Sequence, residues 1–484
     1  MPSDLERRGS PRAISLAAGL VGLLAAACGG GDEASRLNVL LVVIDTVRAD
    51  KLGIHGGPEG LTPRLDRLAA EGARFERAAA HAPWTLPSTA SLLTSRLPEE
   101  HGAGGFLDLS PLAEGRPPSV AFRGLDEGAR TLAEVFREGG WRTGSVVNVD
   151  FLDQGFGLTQ GVEDVDARWY TTNSEVRSAA ETTTQALAWL GERERASEPF
   201  FLLAHYFDAH AVYDPPAEFR ERFADPRDRA ASGLVFGTRE HMLLLRSGRL
   251  TLDPSVLGRA ERLYEAELAA LDAELGRLLD GLDALGLAED TVVVLTADHG
   301  EEFLDHGGFE HGHTLYDELL RVPLLVRLPG VVPEGQVIHA PVGLVDVAPT
   351  LCELAGLEVP SSFGGRSLVP ALAGGPLAAR AHLAHGNFWG PPLTSWTSGD
   401  LKLIVTPAHD GSPERVELYD LSSDPAEATD LAADRPGDTR RLREELEAVR
   451  AHLVRGSGGA PVELDEATRS RLEALGYLGS GDDG

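Results

Sequence analysis

Three stretches of the chain are apolar almost without a break and end beside a polar residue. Residues 37–44 run into Asp45, residues 200–205 end shortly before Asp208, and residues 291–295 lead to Asp298. Continuous apolar runs of this length predict buried parallel strands, and in open α/β sheets ligands bind outside the carboxyl ends of such strands. Between the runs the period changes. Leu257, Tyr264, Leu268, Leu271, Leu275, Leu278 and Leu282 recur at helical spacing, so residues 255–285 predict a long amphipathic helix. Thr62-Pro63 opens a shorter helix that Gly72 closes, and Asp346 starts another that runs to Gly356. Residues 91–94 predict a short helix, with Thr85 in the loop before it.

Beyond Pro360 the texture changes. Residues 401–405 and 416–419 predict two short antiparallel strands, and residues 440–455 a helix. The expected fold class is α/β: a large mixed, mostly parallel sheet sandwiched by helices, with a smaller C-terminal α+β subdomain. The expected boundaries are 37–375 for the main domain and 376–478 for the subdomain. Residues 220–255 are polar and irregular and predict a surface insertion.

The N-terminus changes this picture. Arg7, Arg8 and Arg12 precede an apolar stretch, residues 13–27, too short to span a bilayer comfortably. Ala25-Ala26-Ala27 lead into Cys28, and Gly29-Gly30-Gly31 follow. The pattern resembles a bacterial lipoprotein signal, with residues 1–27 removed, Cys28 lipidated and residues 28–36 a tether. An exported lipoprotein of the cell envelope, held at a membrane through Cys28, is the expectation. An ordinary cleaved signal with an incidental cysteine is the other reading. Cys352 is the second of only two cysteines, so no disulfide framework is expected, and a lipidated Cys28 would not pair with it.

Charge excludes one class of partner. The net charge is −31, which argues against nucleic acid, whose binding needs Lys and Arg to neutralise phosphates. Only Lys51 and Lys402 are lysines. A sequence of this length gives no reading of oligomeric state.

The candidate chemistry lies at the ends of the apolar runs. Asp45 follows the first, and Asp298-His299-Gly300 the third. A carboxylate and an imidazole in adjacent positions can approach one cation from a tight turn. Thr85 precedes Pro87 and Ser88, and a hydroxyl at a helix N-terminus feels the positive end of the dipole. Each residue also has a plain structural reading, Asp45 as a turn residue and Thr85 or Ser88 as a helix cap. His205, Asp208, His210, His311 and His313 complete the inventory. Neutral imidazoles can bind metal, and charged ones can hold an anion or protonate a leaving oxygen.

These residues resemble the sulfatase family of the alkaline phosphatase superfamily. Asn38-Val39 through Asp45-Thr46-Val47-Arg48-Ala49-Asp50 is similar to the family's first metal segment. Residues 85–95 resemble its signature, in which cysteine or serine, any residue, proline, serine and arginine precede a Leu-Thr-Gly ending. Residues 200–216, Asp298-His299-Gly300, Arg321-Val322-Pro323 and Glu417-Leu418-Tyr419-Asp420 resemble later blocks. The resemblance implies a divalent metal held by Asp45, Thr85, Asp298 and His299, with Thr85 as nucleophile. It implies that His210 contacts the transferred group and that His311 or His313 assists the leaving group. Asp208, Arg48 and Ser88 are the expected substrate contacts.

The departures from the family pattern matter. Its nucleophile is a formylglycine, made from cysteine or serine, and threonine cannot give that aldehyde; no formylglycine is expected here. The signature arginine is Thr89, an acid of the first metal segment is Thr46, and no lysine lies within residues 305–320. Other superfamily members, phosphoethanolamine transferases and nucleotide phosphodiesterases among them, use a threonine. The expectation is therefore a sulfatase-like hydrolase or transferase acting on a small-molecule, lipid or glycan ester. Phosphoester or phosphodiester is favoured over sulfate. The site suits Zn or Mn, with Ca a third choice. Two alternatives stand beside it: a sulfuric ester hydrolase, and a lipoprotein without activity that binds anionic glycans.

Overall fold

The computed structural model describes residues 36–108, 119–168, 177–193, 198–223, 254–409, 411–456, 458–474 and 477–478. Cys28, the leader and most of the tether lie outside the described residues, as does most of the insertion expected at 220–255.

The first two apolar runs become Asn38–Ile44 (β1) and Phe200–Tyr206 (β5), and the third becomes Thr291–Ala297 (β6). They sit together at the centre of an eight-stranded sheet in the order β8-β2-β7-β6-β1-β5-β3-β4. The remaining strands are Ala73–Phe75 (β2), Arg142–Val147 (β3), Asp164–Ala167 (β4), Leu324–Arg327 (β7) and Gln336–Ile338 (β8). Only β7 runs against its neighbours. Residues 39–44, 200–206 and 291–297 are all buried, which accounts for their unbroken apolar sequence: both faces of the sheet are covered.

The helices fall close to their predicted spans. Pro63–Ala70 (α1) and Pro254–Ala284 (α4) are both present. Asp272 of α4 accepts from the backbone N–H of Arg64 and Leu65, satisfying donors that the first turn of α1 leaves open. Thr85–Thr94 (α2) begins six residues earlier than predicted, because Pro87 is tolerated in a first turn whose N–H groups have no intrahelical partner. Thr85 therefore belongs to the helix and not to the loop before it. Ala179–Arg193 (α3) packs beside α4.

A separate antiparallel sheet follows: His382–His385 (β9), Thr394–Ser398 (β10), Leu401–Thr406 (β11) and Arg415–Asp420 (β12), in sequential order. Pro436–Arg450 (α5) lies against it and buries Leu442 and Leu446 in a small second core with Leu383, Trp396, Leu403 and Leu418. A last helix, Glu466–Ala474 (α6), returns to the main domain, where Arg471 bonds Asp150 at 2.7 Å. Cys352 is buried, and burial pushes its thiol up to about 12. Among the described residues, no helix is long and apolar enough to cross a membrane.

Candidate active site

Register builds the centre of the site. Ile44 on β1 is paired with Ala297 on β6 and with Tyr206 on β5, so Asp45, Asp298 and Phe207 are the next residues out of three adjacent strands. The backbone N–H of Asp45 donates to Tyr206 O at 2.9 Å, and that of Asp298 to Ile44 O at 3.3 Å. The two carboxylates therefore leave the sheet side by side. Thr46 then turns the chain away in a left-handed conformation, φ 56°. Its carbonyl accepts from the Tyr264 hydroxyl at 2.8 Å.

His299 completes the cluster in a defined orientation. Its Nδ1 lies 2.9 Å from the carbonyl of Gly300, an atom that can only accept, so Nδ1 carries the proton and donates. Its Nε2 lone pair then faces inward, 3.5 Å from Asp45 Oδ1, 3.6 Å from Asp298 Oδ2 and 3.3 Å from Thr85 Oγ1. A carbonyl that fixes the tautomer is the usual support of a metal-ligating histidine. Asp45, Thr85, Asp298 and His299 are all fully buried. Both oxygens of Asp45 and Oδ2 of Asp298 have no hydrogen-bond partner.

Unpartnered buried carboxylate oxygens are costly unless a cation lies between them. Burial, followed by the charge of Asp45, pushes the Asp298 carboxyl up to about 7. Asp45 moves the other way despite its burial, drawn down by the imidazoles of His205, His210 and His299. Ligand atoms of Asp45, Asp298 and His299 lie within 4.8 Å of one another, so a single divalent ion fits the donor set.

The other expected site residues divide. His210 joins the cluster: its ring stacks on Phe207 at 4.4 Å and meets His311 edge-on at 5.0 Å, with Nε2 unpartnered. Burial lowers the His210 pKa. His311 packs on His299 at 4.5 Å, and its Nδ1 lies 2.9 Å from Glu301 Oε1.

His313, the alternative to His311, is not placed with them. Its Nε2 pairs with Glu302 Oε2 at 2.8 Å, and it lines a 220 Å³ cavity with Asn387 and Trp389. Asp208 is also placed elsewhere. It accepts from the backbone of Ala179, the first residue of α3, and burial pushes its carboxyl up to about 6. That bond caps the start of α3, while Oδ2 is buried without a hydrogen-bond partner. Ser88 Oγ donates to the Asp298 carbonyl at 2.5 Å, which ties α2 to the Asp298 turn and leaves no proton for a substrate. Arg48 is taken up in bonds of 2.8–3.1 Å to Asp50 and Asp305. It forms part of a separate cleft of 1110 Å³ shared with Lys402 and Glu427.

Three residues escaped sequence reasoning. The sequence assigns His205 no role, yet its Nε2 stands 3.6 Å from Asp45 Oδ2 because β5 adjoins β1. Glu301 is the carboxylate behind His311, and its adjacency to the Asp-His-Gly turn was the available signal. Tyr477 carries no signal in a glycine-rich tail, yet its hydroxyl lies 3.1 Å from His311 Nε2.

A sulfatase family model matches residues 37–357, and a second, N-sulphoglucosamine sulphohydrolase C-terminal, matches residues 304–452. The chain belongs to the sulfatase family. The uncharacterized sulfatase YidJ of Escherichia coli (strain K12) is 26% identical over 434 residues, spanning 82% of this chain and 84% of that protein. Steryl-sulfatase of Mus musculus is 28% identical over 521 residues, spanning 86% and 82%. Among solved structures, a phosphonate monoester hydrolase from Silicibacter pomeroyi matches with a TM-score of 0.68 at 19% identity. It covers 87% of this chain and 96% of that one. A protein solved in complex with its substrate D-glucosamine-2-N,6-O-disulfate matches with a TM-score of 0.67 at 22% identity, covering 86% and 98%. This sulfatase family member is thus a hydrolase of ester bonds with the alkaline phosphatase-like fold, and its family generally uses a divalent metal.

Proposed function

We propose that this sulfatase family member hydrolyses phosphoric esters through Thr85 as an unmodified nucleophile. The observation that carries the reading is the locked tautomer of His299, whose inward Nε2 meets Asp45, Asp298 and the Thr85 hydroxyl at one point. Asp45, Asp298 and His299 would hold a divalent ion there, zinc or manganese ahead of calcium, and its Lewis acidity would lower the pKa of the Thr85 hydroxyl.

Thr85 stands at the N-terminus of α2, whose dipole favours an alkoxide and an anionic substrate. Once its hydroxyl proton has passed to water, Oγ1 attacks phosphorus in line. The bond from phosphorus to the leaving oxygen breaks, and the electron pair stays on that oxygen. His311, whose Nδ1 faces Glu301, would protonate it from Nε2. Water then attacks phosphorus of the threonyl phosphate and restores the Thr85 hydroxyl. The need for that second step favours phosphorus, since a threonyl sulfate lacks the exit that an aldehyde hydrate provides.

The test is a panel of nitrophenyl phosphate monoesters, diesters and sulfate, with elemental analysis of the protein. Thr85→Ala is expected to abolish turnover. Hydrolysis of the sulfate alone would establish the second reading, a sulfuric ester hydrolase, which the sulfatases among its relatives favour. We also propose export as a lipoprotein anchored through Cys28. Labelled palmitate should enter the wild-type protein and not Cys28→Ala.

A further inference from the structure

We propose that Tyr477, carried in from the C-terminal end of the chain, is a catalytic residue that donates a hydrogen bond to a non-bridging oxygen of the transferred phosphoryl group. The inference rests on the hydrolytic reading of the Thr85 site and deepens it.

The site needs donors. An oxyanion accumulating charge beside two carboxylates calls for donors besides the metal, and three cations among the described residues are taken up. Arg48, three residues after Asp45, is bound to Asp50 and Asp305. Lys51 faces Glu261 and Glu265, and Lys402 faces Asp317 and Glu427. Neutral donors then share the binding with the metal and the imidazoles.

Tyr477 is built into that position. Its side chain is 4% exposed, and its hydroxyl is 3.1 Å from His311 Nε2; when His311 is charged, Nε2–H donates to the phenol oxygen and leaves the phenol proton for the oxyanion. The ring is held edge-on by Phe151 at 4.9 Å and by Phe388 at 5.3 Å. Trp84 touches the same two rings, at 5.7 and 5.0 Å, and is the residue immediately before Thr85. One aromatic cage therefore sets both the nucleophile's backbone and the phenol.

The main chain is fixed as well. The N–H groups of Tyr477 and Leu478 donate to Leu472 O at 2.8 and 3.2 Å, and Leu472 is fully buried. Arg471 anchors α6 to the buried Asp150. A phenol is neutral at ordinary pH, and its burial reinforces that state. In this role Tyr477 makes and breaks no covalent bond and keeps its proton throughout.

The experiment measures binding of inorganic phosphate to the zinc-loaded full-length protein by calorimetry, beside kcat and KM on nitrophenyl phosphate esters. Tyr477→Phe keeps the ring and its packing, so the protein should still fold, with a melting temperature lowered only by the loss of the bond to His311. Loss of one charge-assisted hydrogen bond should weaken phosphate about tenfold. Loss of an oxyanion donor should lower kcat by about 10²-fold, with KM changing far less. Phosphate binding that is unchanged or tighter in Tyr477→Phe overturns the proposal, the second result marking the tail as a plug. A wild type that binds no phosphate overturns it as well. Thr85→Ala should still bind phosphate. Turnover surviving in Thr85→Ala defeats the threonine mechanism alone, whereas equal phosphate binding by wild type and Tyr477→Phe defeats the tyrosine assignment alone.

Discussion

At His299 the Gly300 carbonyl accepts a hydrogen bond from Nδ1–H, and everything the ring does on its other side follows from that bond. The Nε2 lone pair faces two carboxylates of opposite behaviour, Asp45 held down and Asp298 pushed up to about 7. The sign of the resulting pH dependence is determined. The folded-state value for Asp298, about 7, lies above the 3.8 of an unperturbed carboxyl. In the metal-free protein, the folded state therefore binds the proton more tightly than the unfolded chain, and stability falls as pH rises through that window. A divalent ion must displace that proton. Its stabilising effect should reach about 2.7 kcal/mol at a hundredfold excess over its dissociation constant at pH 8, and be clearly smaller at pH 5. Thermal melts with and without zinc at the two pH values check this; an equal increment at both would remove Asp298 from the ligand set.

Among the elements, the C-terminal sheet is tied to the main domain through one buried cation. Lys402 on β11 reaches Asp317 at 2.6 Å and Glu427 at 2.9 Å, with 1% of its side chain exposed. Lys402→Met leaves both carboxylates without that partner, Glu427 fully buried, and should cost about 3–5 kcal/mol in urea unfolding. A loss below about 1 kcal/mol would show that the sheet holds without it. Elements were legible to the extent that burial imposed a period. The three central strands announce themselves because a sheet covered on both faces needs apolar residues at every position. Strands β9 and β10, His-Leu-Ala-His and Thr-Ser-Trp-Thr-Ser, are short and largely polar, and offer no such pattern. The choice between His311 and His313 was equally hidden. Glu310 and Gly312 take positive φ on either side of His311, at 65° and 80°, so no simple alternation predicts which imidazole turns inward.

For the molecule as a whole, the pairing of Ile44 with Ala297 has a kinetic corollary. The two acids become neighbours only after the first and sixth strands of the sheet have aligned, and nearly the entire domain lies between them in sequence. Such distant closure comes late in folding. A cation cannot template an arrangement that does not exist until the chain is nearly home; it can only latch the finished article. Zinc should therefore lengthen the lifetime of the native protein against denaturant and leave the refolding limb of the chevron where it was. Stopped-flow measurements in both directions would detect the asymmetry, and a refolding rate that climbed with zinc would mean the acids had met early.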